Sequence, residues 1–284
     1  MKYFFYILFL NCLSYVVSGQ GGWTQAKGKY FTKIDFTSLG ATNYYTPSGI
    51  LFKTNTFNQN SINLYGEYGI TNRLTAILNM PLLRINSFET SNSVAGIGDA
   101  KIELKYKLTS ENQLPIAISI APELPIGRSN AFAQNKENPL EKINLPTGDG
   151  EFNVWSTLAV SLPFASWAYS SYFGSYNFRT KYDGLNFQNQ YQIGFELGVK
   201  PLENLWINAK LRSQYSVAES AHPELSFIRG DGTTYTLMSF EAFYKVSKRI
   251  GFSATFLTGN EWLASYRNLY LAPYFSIGFI YENK

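Results

Sequence analysis

The sequence predicts a closed antiparallel β-barrel of about twelve strands, of the type that crosses an outer membrane. Beyond residue 27, segments of about ten residues alternate apolar and polar side chains, which is the pattern of strands whose two faces meet different solvents. The connections between these segments are alternately short and long, as in outer-membrane barrels. An apolar run at the N-terminus adds the signature of a secreted chain.

The N-terminal run is interpreted as a cleaved signal peptide. Lys2 precedes the apolar residues 3–13, and the small residues Ser18 and Gly19 follow them. We expect residues 1–19 to be removed and residues 20–284 to form a single barrel domain; an uncleaved anchor helix is the alternative. The sole cysteine, Cys12, would leave with the signal peptide, so disulfide and thiolate-metal chemistry are not expected.

Composition excludes several other classes of protein. Charged residues make up only 15% of the chain, against roughly 25% in an average soluble protein. The aromatic content of 17% excludes intrinsic disorder. A mean hydropathy of -0.15 is too polar for a bundle of membrane helices. The net charge of +4, without a basic cluster, gives no support to nucleic-acid binding.

Twelve strands follow from the alternation, and residues 98–108 give the clearest case. Five charged side chains share one face of this segment, and a helix would scatter them around its circumference. These are Asp99, Lys101, Glu103, Lys105 and Lys107. The candidate strands in chain order are 28–37, 57–68, 74–84, 98–108, 114–124, 151–162, 168–178, 187–200, 205–217, 234–246, 250–258 and 269–281.

Five connections are short enough to be tight turns, and both termini are predicted on their side, which is periplasmic in such barrels. The short connections are 69–73, 109–113, 163–167, 201–204 and 247–249. The strands of a soluble sandwich would also alternate apolar and polar residues. The signal peptide, the alternation of short and long connections, and the aromatic residues at strand ends favour the membrane barrel. Those aromatic residues, expected in interfacial girdles, are Tyr30, Phe36, Tyr68, Tyr106, Trp167, Trp206, Tyr244 and Tyr281.

The polar strand faces predict a lumen lined by equal numbers of positive and negative side chains. A pore tuned for one sign of ion would show a ring of that sign, so the balance favours neutral solutes or internal ion pairs. The candidate substrate-binding residues are Lys33, Asp35, Glu67, Asp99, Lys101, Glu103, Lys105, Glu123, Glu196, Lys210, Arg212 and Glu241. The same parity points Lys107, Lys200, Lys245 and Glu151 inward. Asp99 is expected to cap the turn into its strand, with a cation site as the alternative.

Four short motifs carry a resemblance to a known family. They are Gly-Ile-Gly-Asp at 96–99, Leu-Pro-Ile-Gly at 124–127, Leu-Pro-Thr-Gly-Asp-Gly at 145–150, and the turn at 68–74. With them the chain resembles the outer-membrane transporter-like family named for the meta-pathway of phenol degradation. The resemblance implies an outer-membrane barrel of a Gram-negative bacterium that passes small hydrophobic or aromatic molecules. One departure is that Tyr281, in the C-terminal signal for the barrel-assembly machinery, is followed by three further residues.

The function expected from these observations is a narrow passive channel for small neutral or hydrophobic solutes, surrounded by outer-membrane lipid. Residues 126–149 form the longest connection, and either a lid folded into the lumen or an exposed surface loop fits them. A structural or surface-interaction barrel is the alternative. An outer-membrane lipid hydrolase is disfavoured because His222, the sole histidine, lies in a loop without an evident serine partner. No catalytic residue, metal site or cofactor is expected.

Overall fold

The computed structural model describes residues 21–220 and 230–283. The predicted signal peptide, Cys12 and His222 lie outside the described residues. Twelve long strands form the sheet: β1 (Tyr30–Tyr45), β2 (Leu51–Gly69), β3 (Leu74–Phe88), β4 (Ala100–Lys107), β5 (Ile116–Leu124), β6 (Asn153–Ala165), β7 (Ala168–Arg179), β8 (Gln190–Leu202), β9 (Leu205–Ser216), β10 (Tyr235–Lys245), β11 (Ile250–Asn260) and β12 (Tyr274–Asn283).

The sheet closes on itself as an antiparallel barrel, and the predicted fold is confirmed. Each strand pairs with the next, and β1 pairs with both β2 and β12. Asp35 on β1, for example, stands opposite Asn63 on β2 and Gly278 on β12. Closure pairs the first strand of the sheet with the last. A membrane-spanning sheet needs this pairing because each unsatisfied backbone group in the hydrocarbon core costs several kcal/mol. The described ranges hold no helix of the length and apolar character that a membrane crossing requires.

The largest differences from the predicted strand boundaries are at β1, β2, β3 and β12. β3 continues to Phe88, beyond the predicted 74–84. β1 and β2 extend beyond the predicted 28–37 and 57–68 toward the loop between them, where the added residues are mostly polar on both faces and show no alternation. The predicted strand 269–281 is divided in two. A short strand, Leu269–Leu271, pairs with β1, and β12 begins only after Pro273, whose missing N–H interrupts the ladder.

Apolar side chains cover the outside of the barrel. Ile34 and Phe36 on β1 are each 45% exposed, and Phe275 on β12 is 67% exposed.

Among the residues predicted for the aromatic girdles, the prediction for Trp206 is wrong, because this residue is 4% exposed and lies inside the barrel. It shares the parity of the inward residues Asn208 and Lys210, which its position near a strand end obscured.

The two ends of the barrel differ. The five tight turns lie at one end, together with the start of β1 and the end of β12. There the Gly28 amide donates to the Gly69 carbonyl at 2.8 Å, and the Glu282 amide donates to the Arg249 carbonyl at 2.9 Å. We call this the short-turn end. The opposite, long-loop end carries the connection between β5 and β6, residues 125–152, which contains a small hairpin of Phe132–Gln134 and Lys142–Asn144.

Candidate functional site: the barrel lumen

An ion-pair network inside the barrel joins strands that are not neighbours in the sheet. Lys33 on β1 contacts Glu241 on β10 at 2.8 Å, although β11 and β12 separate these strands. Lys210 on β9 contacts both Glu241 and Glu196 at 3.2 Å. The Tyr169 hydroxyl donates to Glu196 at 2.5 Å. Such contacts can form only across the inner face, so this face is the polar one.

The register of the strands places the other candidate residues on the same inner face. Lys101 stands opposite Glu123, Lys105 opposite Ser119, and Ile77 opposite Glu103. The carboxylate of Glu67 accepts a hydrogen bond from Gln25, and Asp35 accepts one from Asn63. Arg212 stands opposite the inward Gly194. Asp99 lies just before β4 rather than on it.

Six of the candidates lie in two groups rather than in one site. Lys33, Glu196, Lys210 and Glu241 form the network above. A second group, Lys101 and Glu123, surrounds Trp155 on β6: the Lys101 ammonium lies 5.6 Å from the ring centre, and the indole N–H donates to Glu123 at 3.1 Å. Trp155 was not among the predicted lumen residues, although its parity with Glu151 in the predicted strand 151–162 would have placed it inside.

A cavity of about 280 Å³ lies in the lumen, and we call it the central cavity. Its wall carries basic residues from β4 and β9 together with apolar side chains. Among its lining residues are Lys101, Lys105, Lys210, Arg212, Phe173 and Ile77. The central cavity is the space in the described barrel where a small solute can contact several candidate residues together.

The short-turn end of the lumen is narrowed by residues 21–27, which precede β1. The Gly22 amide donates to the Ser161 hydroxyl on β6 at 2.8 Å, while the Gln25 side chain donates to Glu67 on β2 at 2.6 Å. The segment therefore crosses the interior from one wall toward another. Gly22 is required there because a Cβ would lie 2.0 Å from the Pro115 carbonyl oxygen.

Trp23 anchors this crossing in an aromatic cluster. Its ring packs edge-on against Tyr169, with ring centres 5.1 Å apart, and Tyr169 in turn contacts Trp206 at 5.7 Å. Phe31 and Phe243 complete the buried part of the cluster. Sequence reasoning missed this segment, since residues 21–27 have no alternation that would assign them to a wall or a lumen.

At the long-loop end, the predicted lid at 126–149 divides into two parts. Residues 145–149 lie against inward side chains: Arg84 donates to the Thr147 carbonyl at 3.0 Å, and Asn86 donates to the Pro146 carbonyl at 2.7 Å. The hairpin of residues 132–144 has a buried base and an exposed tip: Ala133 and Ile143 pack in a cluster with Phe57 on β2 and Leu145, whereas Leu140 is 94% exposed. Residues 145–149 thus match the predicted lid, and the tip of the hairpin matches the predicted surface loop.

Asp99 fastens this loop through two backbone hydrogen bonds. Its carboxylate accepts one from the Gly127 amide at 2.8 Å and one from the Asp149 amide at 2.7 Å. Burial raises the pKa of Asp99 above its ordinary value, and these two hydrogen bonds oppose the rise. Asp99 therefore clamps the long loop rather than capping its own turn.

A cluster of charged side chains around Arg179 also lies at the long-loop end. Arg179, at the end of β7, forms an ion pair with Glu151 and lies 3.9 Å from Asp231. Burial, with a smaller contribution from Glu151, raises the pKa of Asp149 to about 8, while Arg179 opposes the shift. Arg84 and Arg179 were not among the predicted lumen residues. Within residues 21–220 and 230–283, no group of three His, Cys, Asp or Glu side chains is arranged to hold a metal ion.

Solved structures that share the fold of this chain include an outer-membrane channel. The COG4313 outer membrane channel from Pseudomonas putida F1 has a TM-score of 0.67 and 12% identity, covering 94% of this chain and 100% of that chain. The translocator domain of autotransporter NalP from Neisseria meningitidis has a TM-score of 0.53 and 8% identity, covering 90% and 89%. The NanC porin has a TM-score of 0.50 and 9% identity, covering 89% and 99%. No protein-family model and no curated protein sequence matches the chain.

Proposed function

We propose that this chain is a narrow passive channel in the outer membrane of a Gram-negative bacterium, for small neutral or hydrophobic solutes, aromatic molecules among them. The observation that carries the proposal is the central cavity, a space of about 280 Å³ between polar and apolar side chains inside a closed barrel. The apolar outer face is suited to outer-membrane lipid, which would be the barrel's permanent partner. The barrel-assembly machinery would be a transient one.

The two narrowed ends support a small solute over a large one. Residues 21–27 cross the lumen at the short-turn end, and residues 145–149 lie against the inner wall at the long-loop end. A twelve-stranded barrel is wider than the eight-stranded kind that side chains fill, but narrower than the aqueous sixteen-stranded porins. Segments of the chain itself therefore narrow a lumen of intermediate width.

The proposed class of solute comes from the resemblance to a family and from the apolar part of the cavity wall. The resemblance to the phenol-degradation transporter-like family suggests aromatic solutes. We propose membership of that family on the motifs at 96–99 and 145–150. The structure gives these motifs a physical role, because Asp99 binds the Asp149 amide and the two motifs are thereby joined. Phe173 and Ile77 in the central cavity offer apolar surface to a ring.

Conductance across a planar bilayer tests the channel. We expect the purified protein to give discrete single-channel currents, and liposomes that contain it to admit phenol-sized neutral solutes faster than protein-free liposomes. A barrel that gives neither current nor uptake, even after residues 21–27 are removed, would be a structural or surface-interaction barrel, which is the second candidate. Hydrolysis of phospholipid by the same preparation would instead indicate an enzyme.

A further inference from the structure

Two cations face each other across the central cavity without an acidic partner. Lys101 projects from β4 and Arg212 from β9, which are five strands apart around the twelve-stranded barrel. In the part of the chain that the structure describes, neither side chain forms an ion pair with a carboxylate. Lys101 contacts the Trp155 ring, which leaves its ammonium hydrogens able to donate to another group.

The charge balance of the central cavity differs from that of the whole lumen. Four basic side chains line it, namely Lys101, Lys105, Lys210 and Arg212, against the two carboxylates of Glu103 and Glu196. Lys210 is bound by Glu196 and by Glu241, each at 3.2 Å, so its charge is already compensated. Lys101 and Arg212 are thus the two cations of the cavity wall that can supply positive charge to a ligand, and in a confined space lined by protein such charges attract anions.

Apolar side chains occupy the rest of the cavity wall. Phe173, Ile77 and Leu257 lie beside the charged groups. A volume of about 280 Å³ corresponds to roughly nine water molecules, so the cavity suits a molecule smaller than a typical drug. A ligand that satisfies both kinds of surface has a small apolar body and one anionic group.

We propose that the central cavity binds small carboxylates with an apolar body, such as a benzoate-sized acid, with the carboxylate held between Arg212 and Lys101. The guanidinium of Arg212 can donate two parallel hydrogen bonds to a carboxylate, and Lys101 adds a point charge from the opposite wall. Phe173 and Ile77 contact the body of the solute. This proposal rests on the proposed channel function and deepens it, because among small solutes with an apolar body it identifies the anionic ones as those that the cavity retains.

Equilibrium binding measures the site independently of transport. We expect isothermal titration of the purified full-length barrel in detergent to show binding of benzoate and much weaker binding of benzamide, its neutral counterpart. Arg212→Gln and Lys101→Gln should each weaken benzoate binding about tenfold or more. Lys53→Gln is the matched control because Lys53 is exposed at the far end of β2. Arg212→Lys should bind with intermediate affinity, and heat-modifiable migration on a gel shows that each variant is folded.

The competing outcomes separate the site from the channel. In a KCl gradient we expect a reversal potential that favours chloride, shifted toward potassium in the double variant Lys101→Glu and Arg212→Glu. A conducting barrel without anion preference, which binds benzoate and benzamide alike, would overturn the carboxylate site and leave the channel intact. A barrel that binds benzoate through Arg212 but conducts nothing would uphold the site and overturn the channel. Equal binding of acetate and benzoate would overturn the part assigned to the apolar body.

Discussion

Ile102 and Asn79 lie at nearly the same depth of the barrel wall but face different solvents. Leu78 pairs with Ile102, and Asn79 with Lys101, so the two test positions are neighbours on opposite faces. Ile102 is 42% exposed on the outside, while Asn79 lines the central cavity. Ile102→Arg should destabilise the barrel by about 2 to 4 kcal/mol if this depth is near the bilayer midplane. Asn79→Arg should cost less than about 1 kcal/mol.

Reversible unfolding in lipid bilayers measures both costs. A large cost at Asn79 with a small one at Ile102 would reverse the assigned faces. Equal costs would show that neither face meets hydrocarbon, which would contradict the membrane location while leaving the barrel fold in place.

The raised pKa of Asp149 predicts that the stability of the long-loop end depends on pH. Its pKa is raised from 3.8 to about 8, so the folded state favours the protonated carboxyl. The stability that this protonation contributes is fully present below about pH 4 and is lost as the pH rises through about 8. Because the Asp149 amide binds Asp99, charging this carboxyl should loosen residues 145–149.

Conductance recorded between pH 6 and pH 9 checks this expectation. We expect conductance to rise with pH in the natural protein, and Asp149→Asn to flatten the profile. Glu137→Gln is the control, since Glu137 is exposed in the outer part of the same loop. A profile that falls with pH, or one that Asp149→Asn does not alter, would show that another group governs this end.

At the scale of elements, the segment of residues 21–27 behaves as an internal strap across the short-turn end. Its removal should raise single-channel conductance, because Trp23 and Gln25 then no longer cross the lumen. Trp23→Ala should have a smaller effect in the same direction, since the hydrogen bonds of Gly22 and Gln25 remain. Lys27→Ala is the matched control because Lys27 is exposed. Unchanged conductance after the deletion would place the narrowest point elsewhere.

Strand faces could be predicted from the sequence because alternation reports the solvent of each side chain directly. Lys101 and Glu103 alternate with Ile102 and Leu104 at every step, so the face of each side chain follows. Long-range contacts left no such signal. Thr147 and Arg84 are 63 residues apart, and nothing in either segment indicates that their atoms meet. Residues 21–27 likewise carry no periodicity, so the strap was missed, and Trp206 was assigned outside by its place near a strand end rather than by its parity.

At the scale of the whole molecule, the barrel wall and the segments that narrow it are separate structures. The wall is held by the ladder of twelve strands. Residues 145–149 are bound to it by hydrogen bonds with three side chains, Arg84, Asn86 and Asp99, and by the packing of Leu145 against Phe57. Replacing all three with alanine should release these residues and raise conductance, while the barrel itself stays folded. The free-energy cost of losing these few hydrogen bonds is small beside that of the ladder, at about 0.5 to 3 kcal/mol each.

A second variant shows which part of the loop narrows the pore. Replacing residues 135–141 with a short Gly-Ser turn removes the exposed tip of the hairpin but keeps Ala133, Ile143 and residues 145–149, so conductance should stay near that of the natural protein. Both variants should retain heat-modifiable migration on a gel, which reports a closed barrel. If removing the tip opens the pore and the triple alanine variant does not, the exposed tip covers the mouth from outside, and the contacts with Arg84 and Asn86 only position the loop.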